Sequence, residues 1–265
     1  MVANRIPGTG TAPAALPAHG KQRLVAVSYL NTKPLLYGLL RSQLTEQLRM
    51  DLAIPSECAR RLAAGDADIG LVPVAVLPEL PRARLISDFC IGCDGAVGTV
   101  CLYGEVPVEE MTAIYLDHHS RTSAQLTRLL LREYWGREVT FLDAEPGFID
   151  RIGGTVGGLV IGDRAIGLER RFAHVADLGA AWKAHTGLPF VFAAWVTVRE
   201  QTPDFLADFN AALRQGLDHL PELQLLLPSP HPDFDLAEYY TRYIDYEFGA
   251  DKRAALDRFL AAIAR

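Results

Sequence analysis

The chain has 265 residues, of which 49% are hydrophobic and 22% charged, a composition that fits a globular protein and excludes an intrinsically disordered one. Its 26 basic and 32 acidic side chains leave a net charge of −6, so a phosphate-binding face for nucleic acid is not expected. Apolar runs stay short of the roughly 18 residues that a membrane span needs, and four cysteines are too few to form a disulfide scaffold.

Residues 1–22 are rich in Gly, Pro and Ala without a sustained apolar stretch. They read as a disordered tail rather than a secretory signal, which places the protein in the cytoplasm. Structure is expected from Arg23. The short apolar run Leu24–Val27 suits a buried parallel strand. Asn31 and Thr32 stand where capping oxygens belong, and Pro34 fits the first turn of a helix carrying Leu35, Leu36, Leu39 and Leu40. Met50–Ile54 reads as a second strand, Pro55 to Gly65 as a helix, and Ile69–Val74 as a third strand. This β-α-β-α-β order predicts a parallel sheet with helices on its faces.

The pattern then repeats. Ala113–Asp117 reads as a strand and Ser120-Arg121-Thr122-Ser123 as the opening of a helix, with Thr122 and Gln125 at capping-box spacing. Val139–Leu142 and Gly158–Asp163 read as strands, and Phe190–Val198 as a longer apolar stretch. The C-terminal part reads as helical: one helix from Thr202-Pro203, then two around 236–248 and 251–264. The elements sort into two α/β lobes, each a mainly parallel sheet flanked by helices, with a ligand cleft between them. The expected division is 23–108 plus 199–265 for lobe 1 and 109–198 for lobe 2.

Two strand-to-helix turns carry candidate chemistry. In open α/β sheets ligands bind beyond the carboxyl ends of strands, where a helix N-terminus offers N–H groups and a positive dipole end. Ser28, Asn31 and Thr32 add polar side chains at the first turn. Ser120, Arg121, Thr122 and Ser123 offer three hydroxyls and a guanidinium at the second, a set suited to a carboxylate or phosphate. A purely structural reading, helix caps beside a solvated Arg121, also fits both turns. Cys90-Ile91-Gly92-Cys93 lacks the further ligands of a zinc site and reads as buried thiols. His118-His119 lacks metal-pair spacing, and Gly153–Gly158 lacks the strand-to-helix placement of a nucleotide loop. Trp182, Trp195, Tyr240, Tyr243 and Tyr246 read as core, with Tyr243 or Tyr246 able to edge the cleft. No cofactor and no metal are expected.

Ser28-Tyr29-Leu30-Asn31-Thr32-Lys33-Pro34-Leu35 resembles the opening motif of the chorismate dehydratases of the futalosine route to menaquinone. The resemblance continues through Gly70–Val74, Asp94-Gly95-Ala96-Val97-Gly98-Thr99-Val100, Leu116-Asp117 with Ser120–Ser123, Ile161–Ala165, Thr186–Phe192 and Tyr243–Tyr246. It spans about residues 23–250 in order. Thr99 stands where serine is expected in many relatives and keeps the hydroxyl. The resemblance implies a two-lobed fold of the periplasmic-binding-protein type (type II) in a lyase that dehydrates chorismate to 3-[(1-carboxyvinyl)oxy]benzoate. It implies Asn31 as the catalytic side chain, with Ser28, Thr32, Gly98, Thr99, Ser120, Arg121, Thr122, Ser123 and Asp163 around the substrate. The base is either the substrate's own enolpyruvyl carboxylate, which we favour, or an acidic side chain such as Asp163 or Asp94.

Two other readings stay open: the sister enzyme of the route, acting on a cyclic futalosine, and a non-catalytic binding protein for a small carboxylate. The first is expected to rely on a histidine, which Ser28–Pro34 lacks, and the second is normally exported.

Overall fold

The computed structural model describes residues 20–117 and 121–264. Residues 1–19 of the expected tail, with His118, His119 and Ser120, lie outside the described residues, and the first strand already begins at Gln22, inside that expected tail.

The first eighty residues fold in the expected order. β1 (Gln22–Val27) leads through a 3-10 turn at Leu30–Thr32 into α1 (Lys33–Arg41), followed by β2 (Leu48–Ala53), α2 (Pro55–Ala63) and β3 (Ile69–Pro73). β1 pairs in parallel with both β2 and β3. Pro34 and Pro55 occupy first-turn positions of their helices, where a missing N–H costs nothing. A long strand that was not anticipated, β4 (Arg84–Cys93), comes next.

The chain then builds a second sheet from β5 (Val100–Gly104), β6 (Ala113–Leu116), α3 (Arg121–Glu133), β7 (Thr140–Asp143), β8 (Val156–Ile161) and β9 (His174–Asp177). After α4 (Leu178–Thr186) it returns to the first sheet through β10 (Phe190–Thr197). It ends in α5 (Pro203–Asp218), α6 (Leu220–Leu226), the short α7 (Leu236–Glu238), β11 (Asp245–Glu247) and α8 (Ala250–Ile263). Thr202 caps α5 as expected, its hydroxyl accepting the Phe205 N–H at 3.2 Å.

The strand orders are β11-β4-β10-β3-β1-β2 and β7-β6-β8-β5-β9. Both sheets are mixed rather than mainly parallel. β10 runs antiparallel between β3 and β4, and β5 runs antiparallel between β8 and β9. The changes of sheet also fall elsewhere than at 108 and 198. β5 already belongs to the second sheet and β10 to the first, so the crossings lie between Cys93 and Val100 and between α4 and β10. The reason is that β10 pairs on both edges within the first sheet. The helix expected over 236–248 is instead α7, a widened π-turn at Tyr239–Tyr243, and then β11.

One continuous apolar core joins the lobes, including Leu24, Leu71, Phe190 and Trp195 from the first sheet and Leu102, Ile114, Leu126 and Leu159 from the second. A smaller cluster around Tyr103, Phe148 and Phe172 also involves the second sheet. The four cysteines are free and buried, and burial pushes their thiols up, so they pack as small apolar groups. Among the described residues no helix is long and apolar enough to cross a membrane.

Candidate active site

A cleft opens between the lobes. The first lobe lines it with Val27, Tyr29, Asn31, Pro55, Pro73, Ile91, Phe192 and Ala193, and the second with Val97, Thr99, Val100, Ser123, Ile161 and Gly162. Val27 and Pro73 end β1 and β3, so the cleft lies beyond strand carboxyl ends, as the topology of α/β sheets favours. The lining is mostly apolar with a few polar side chains, a composition that orients a small ligand by a few contacts.

Of the anticipated residues, Asn31, Thr99 and Ser123 line the cleft. Asn31 and Thr32 do not act as helix caps: neither end of that turn is closed by a side-chain hydrogen bond. The fully buried Thr32 hydroxyl instead donates to Asn31 Oδ1 at 3.3 Å. Ser28 is half-buried off the lining, its N–H bonded to the Ala53 carbonyl at 3.0 Å. Gly98 has a φ of +72°, and a Cβ there would meet the Tyr243 ring at 3.3 Å, so the position favours glycine. Asp177 holds this crossing: its carboxylate accepts the N–H groups of Val97 and Gly98 at 3.0 and 2.7 Å and that of Ala180 at the start of α4 at 3.0 Å.

The second anion turn is built differently from its expectation. The Arg121 guanidinium forks onto Glu79 with two 2.8 Å contacts, half exposed and off the cleft lining. Thr122 is fully buried and its hydroxyl accepts the Ala75 N–H at 3.1 Å, pinning α3 to the first lobe rather than capping its own helix. Ser123 is buried against the cleft, and its carbonyl accepts the Thr127 hydroxyl at 2.9 Å.

Asp163 also takes another place. Its carboxylate accepts the Leu30 N–H at 2.9 and 3.2 Å, occupying the helix-start position where a ligand anion was expected. Burial raises its carboxyl above the ordinary range, against the opposing effects of the Leu30 N–H and Lys33. Arg164, next in sequence, forms an ion pair with the fully buried Asp117, and its charge acts on the Tyr29 phenol. Burial pushes the Tyr29 phenol up to about 12 despite that guanidinium.

Sequence reasoning missed Tyr239 of the C-terminal π-turn, and it read Tyr240 and Tyr246 as core without their bonds to the first turn. Tyr239 is buried with its hydroxyl 3.0 Å from Thr99 Oγ1. The Tyr240 hydroxyl donates to the Leu30 carbonyl at 3.1 Å, and Tyr246 donates to the Asn31 carbonyl at 2.8 Å. The crowding of tyrosines at 239, 240, 243 and 246 was the available signal. A wide π-turn inside a helical run is itself a frequent mark of a functional site. Among the described residues, no three His, Cys, Asp or Glu side chains group as a metal set.

Two α/β lobes around a cleft, joined by two crossings, define a protein of the periplasmic-binding-protein-like class. Solved structures share this fold. One from Archaeoglobus fulgidus matches with a TM-score of 0.70 at 12% identity, over 92% of this chain and 97% of that one. A Candida albicans protein described as having the generic periplasmic binding protein fold matches with a TM-score of 0.55 at 11% identity, over 93% of this chain and 90% of that one. In sequence, a family model described as menaquinone biosynthesis matches residues 22–265. The chorismate dehydratase of Thermus thermophilus is 32% identical over 215 residues, covering 74% of this chain and 77% of that protein. The chain belongs to the menaquinone biosynthesis family.

Proposed function

We propose that the protein is a chorismate dehydratase, a carbon–oxygen lyase that converts chorismate to 3-[(1-carboxyvinyl)oxy]benzoate and water. The observation that carries this reading is the convergence of Asn31 and Thr99, one from each lobe, on the wall of a mostly apolar cleft. The family and the Thermus thermophilus relative support it.

The chemistry follows from the substrate. The ring carboxylate of chorismate is conjugated through the diene, which makes the C3–H a vinylogous acid. Removing that proton places negative charge on the carboxylate, where preorganised donors stabilise it. The C4 hydroxyl then departs with its bonding pair, takes up a proton as water, and leaves an aromatic ring. Asn31 can donate and accept at once, so one amide can hold the leaving hydroxyl and the enolpyruvyl carboxylate together. The substrate's own enolpyruvyl carboxylate takes the C3 proton. Two observations favour this base over the acidic side chains. The Asp163 carboxylate is occupied by the Leu30 N–H, and Asp94 is half exposed on Lys183 at 2.5 Å.

Incubating the purified protein with chorismate and following the products by mass tests the reading. A product lighter by one water is expected. Chorismate bound but returned unchanged would assign the cleft to solute binding instead.

A further inference from the structure

Asn31 sits in a 3-10 turn of three residues, Leu30–Thr32, that no side chain caps. So short a turn has poor hydrogen-bond geometry of its own. It is held from outside instead. The Tyr240 hydroxyl donates to the Leu30 carbonyl at 3.1 Å, and the Tyr246 hydroxyl donates to the Asn31 carbonyl at 2.8 Å. The direction of both bonds is fixed by chemistry, because a carbonyl oxygen only accepts. The two carbonyls are consecutive, one in each of the peptide planes that meet at the Asn31 Cα. A peptide plane is rigid, so φ and ψ are the only soft dihedrals between the two. Holding both planes therefore fixes the direction of the Asn31 Cα–Cβ bond. Two backbone bonds support the same planes: the Lys33 N–H donates to the Leu30 carbonyl, and the Thr32 N–H to the Tyr29 carbonyl at 3.1 Å. Beyond Cβ, the Thr32 hydroxyl donates to Asn31 Oδ1 at 3.3 Å. Tyr240 and Tyr246 are 1% and 5% exposed and stand off the cleft lining, whereas Asn31 lies on it.

We propose that Tyr240 and Tyr246 are a pair of positioning residues, which hold the two peptide planes flanking Asn31 and so aim its amide into the cleft. The proposal rests on the dehydratase reading for the reaction that this amide serves. A displacement of about 1 Å at a group that orients substrate can cost on the order of 10²-fold in rate, so a short turn carrying such a group gains from an outside brace. The brace comes from 210 and 215 residues away, out of the π-turn and β11.

Tyr240→Phe and Tyr246→Phe each remove one buried oxygen and keep the ring. On chorismate, kcat is expected to fall by about tenfold in each, with KM within about threefold, the pattern of lost orientation rather than lost binding. Freeing either plane already lets the Cα–Cβ bond swing. The double variant should therefore lose little more than the larger single loss, within about threefold of it, rather than the product of the two. Tyr103→Phe is the matched control. It also loses a buried phenol bond to a backbone carbonyl, that of Ala165 at 3.1 Å, and its kcat should stay within about twofold of wild type. A second arm needs no substrate. The side-chain amide signals of Asn31, identified by their loss in Asn31→Asp, should report an ordered group in wild type. In either Phe variant their order parameter should fall toward the value below about 0.6 that marks a flexible one. A kcat within about threefold of wild type in either variant, a loss carried by KM, losses that multiply, an equal loss in Tyr103→Phe, or an Asn31 amide equally ordered with and without the phenols overturns the proposal. A wild-type protein inert toward chorismate overturns the dehydratase reading instead, and the amide arm still decides the role of the two tyrosines.

Discussion

The backbone N–H of Leu30 donates to the carboxylate of Asp163 at 2.9 Å, tying the first turn of one lobe to the strand end of the other. The contact replaces a ligand anion with a side chain of the protein. Because burial raises the Asp163 carboxyl, the folded state binds its proton more tightly than the unfolded chain does. Between the unfolded value near 3.9 and the higher folded value, the native protein therefore carries more protons, and this group's contribution to stability falls as pH rises. Urea unfolding of wild type and Asp163→Asn across this window should show the wild type gaining on the variant as pH is lowered. A pH-independent difference would mean that Asp163 titrates as it does in the unfolded chain.

Asn31→Asp isolates chemistry from folding. The Asn31 side chain caps no helix, so its replacement should not carry the cost of a lost cap. A carboxylate beside a dianionic substrate repels it and discards the amide's donors. Melting should stay within a few degrees of wild type while turnover of chorismate falls by roughly 10²-fold, the size of one lost preorganised donor. Turnover close to wild type would remove Asn31 from the mechanism.

Arg121→Ala should do little. The guanidinium forks onto Glu79 and both side chains are about half exposed, which places the pair among surface ion pairs contributing about 0–1 kcal/mol. Affinity for 3-substituted benzoates, measured by calorimetry, should change by less than about threefold, far below the 2–5 kcal/mol of a broken buried charge pair. A loss on that larger scale would show Arg121 leaving Glu79 for a substrate carboxylate.

Gly162→Ala probes the opposite wall. The residue has a φ of +63°, and an added methyl would lie 2.7 Å from the Tyr29 ring. Tyr29 lines the cleft, so its ring must move. Backbone strain and overpacking should together destabilise the protein by about 1–3 kcal/mol. The KM for chorismate should rise by about tenfold, reflecting roughly 1.4 kcal/mol of lost fit. An unchanged KM would mean that the ring yields away from the ligand.

The legible parts of the sequence share a physical basis. β1-α1-β2-α2-β3 could be read because β1 and β3 are compact apolar runs and each helix has a proline in its first turn. β4 escaped notice because it starts with exposed Arg84 and Leu85 and carries exposed Asp88 before its apolar end. The lobe boundaries were misplaced because the crossings are a few residues long and are pinned by hydrogen bonds, so no extended linker marks them. One is the Asp94–Val100 motif, held by Asp177, and the other runs through Gly187 to Pro189, whose carbonyl accepts the Trp182 indole N–H at 2.9 Å. Asn31, Thr99 and Ser123 could be anticipated from their motifs and local position. Arg121 and Asp163 could not be placed, because their partners lie 42 and 133 residues away and pairing at such range leaves no local trace. Tyr239 escaped for the same reason: its partner Thr99 is 140 residues distant.

The position of β10 bears on how the protein is made. This strand lies between β3 and β4 in the first sheet, yet the ribosome delivers it only after all of the second sheet. Both strands that pair with β4, β10 and β11, arrive late. The nascent chain therefore holds β4 unpaired and leaves an edge of β3 open while the second lobe has every strand it needs. Open edges template pairing with other chains, and partly built domains expose them longest. The second lobe can close first on the ribosome, and emergence of Phe190–Thr197 then joins β4 to the β3-β1-β2 half-sheet. Only after that step can β11 add to β4 and bring the Tyr246 hydroxyl onto the Asn31 carbonyl.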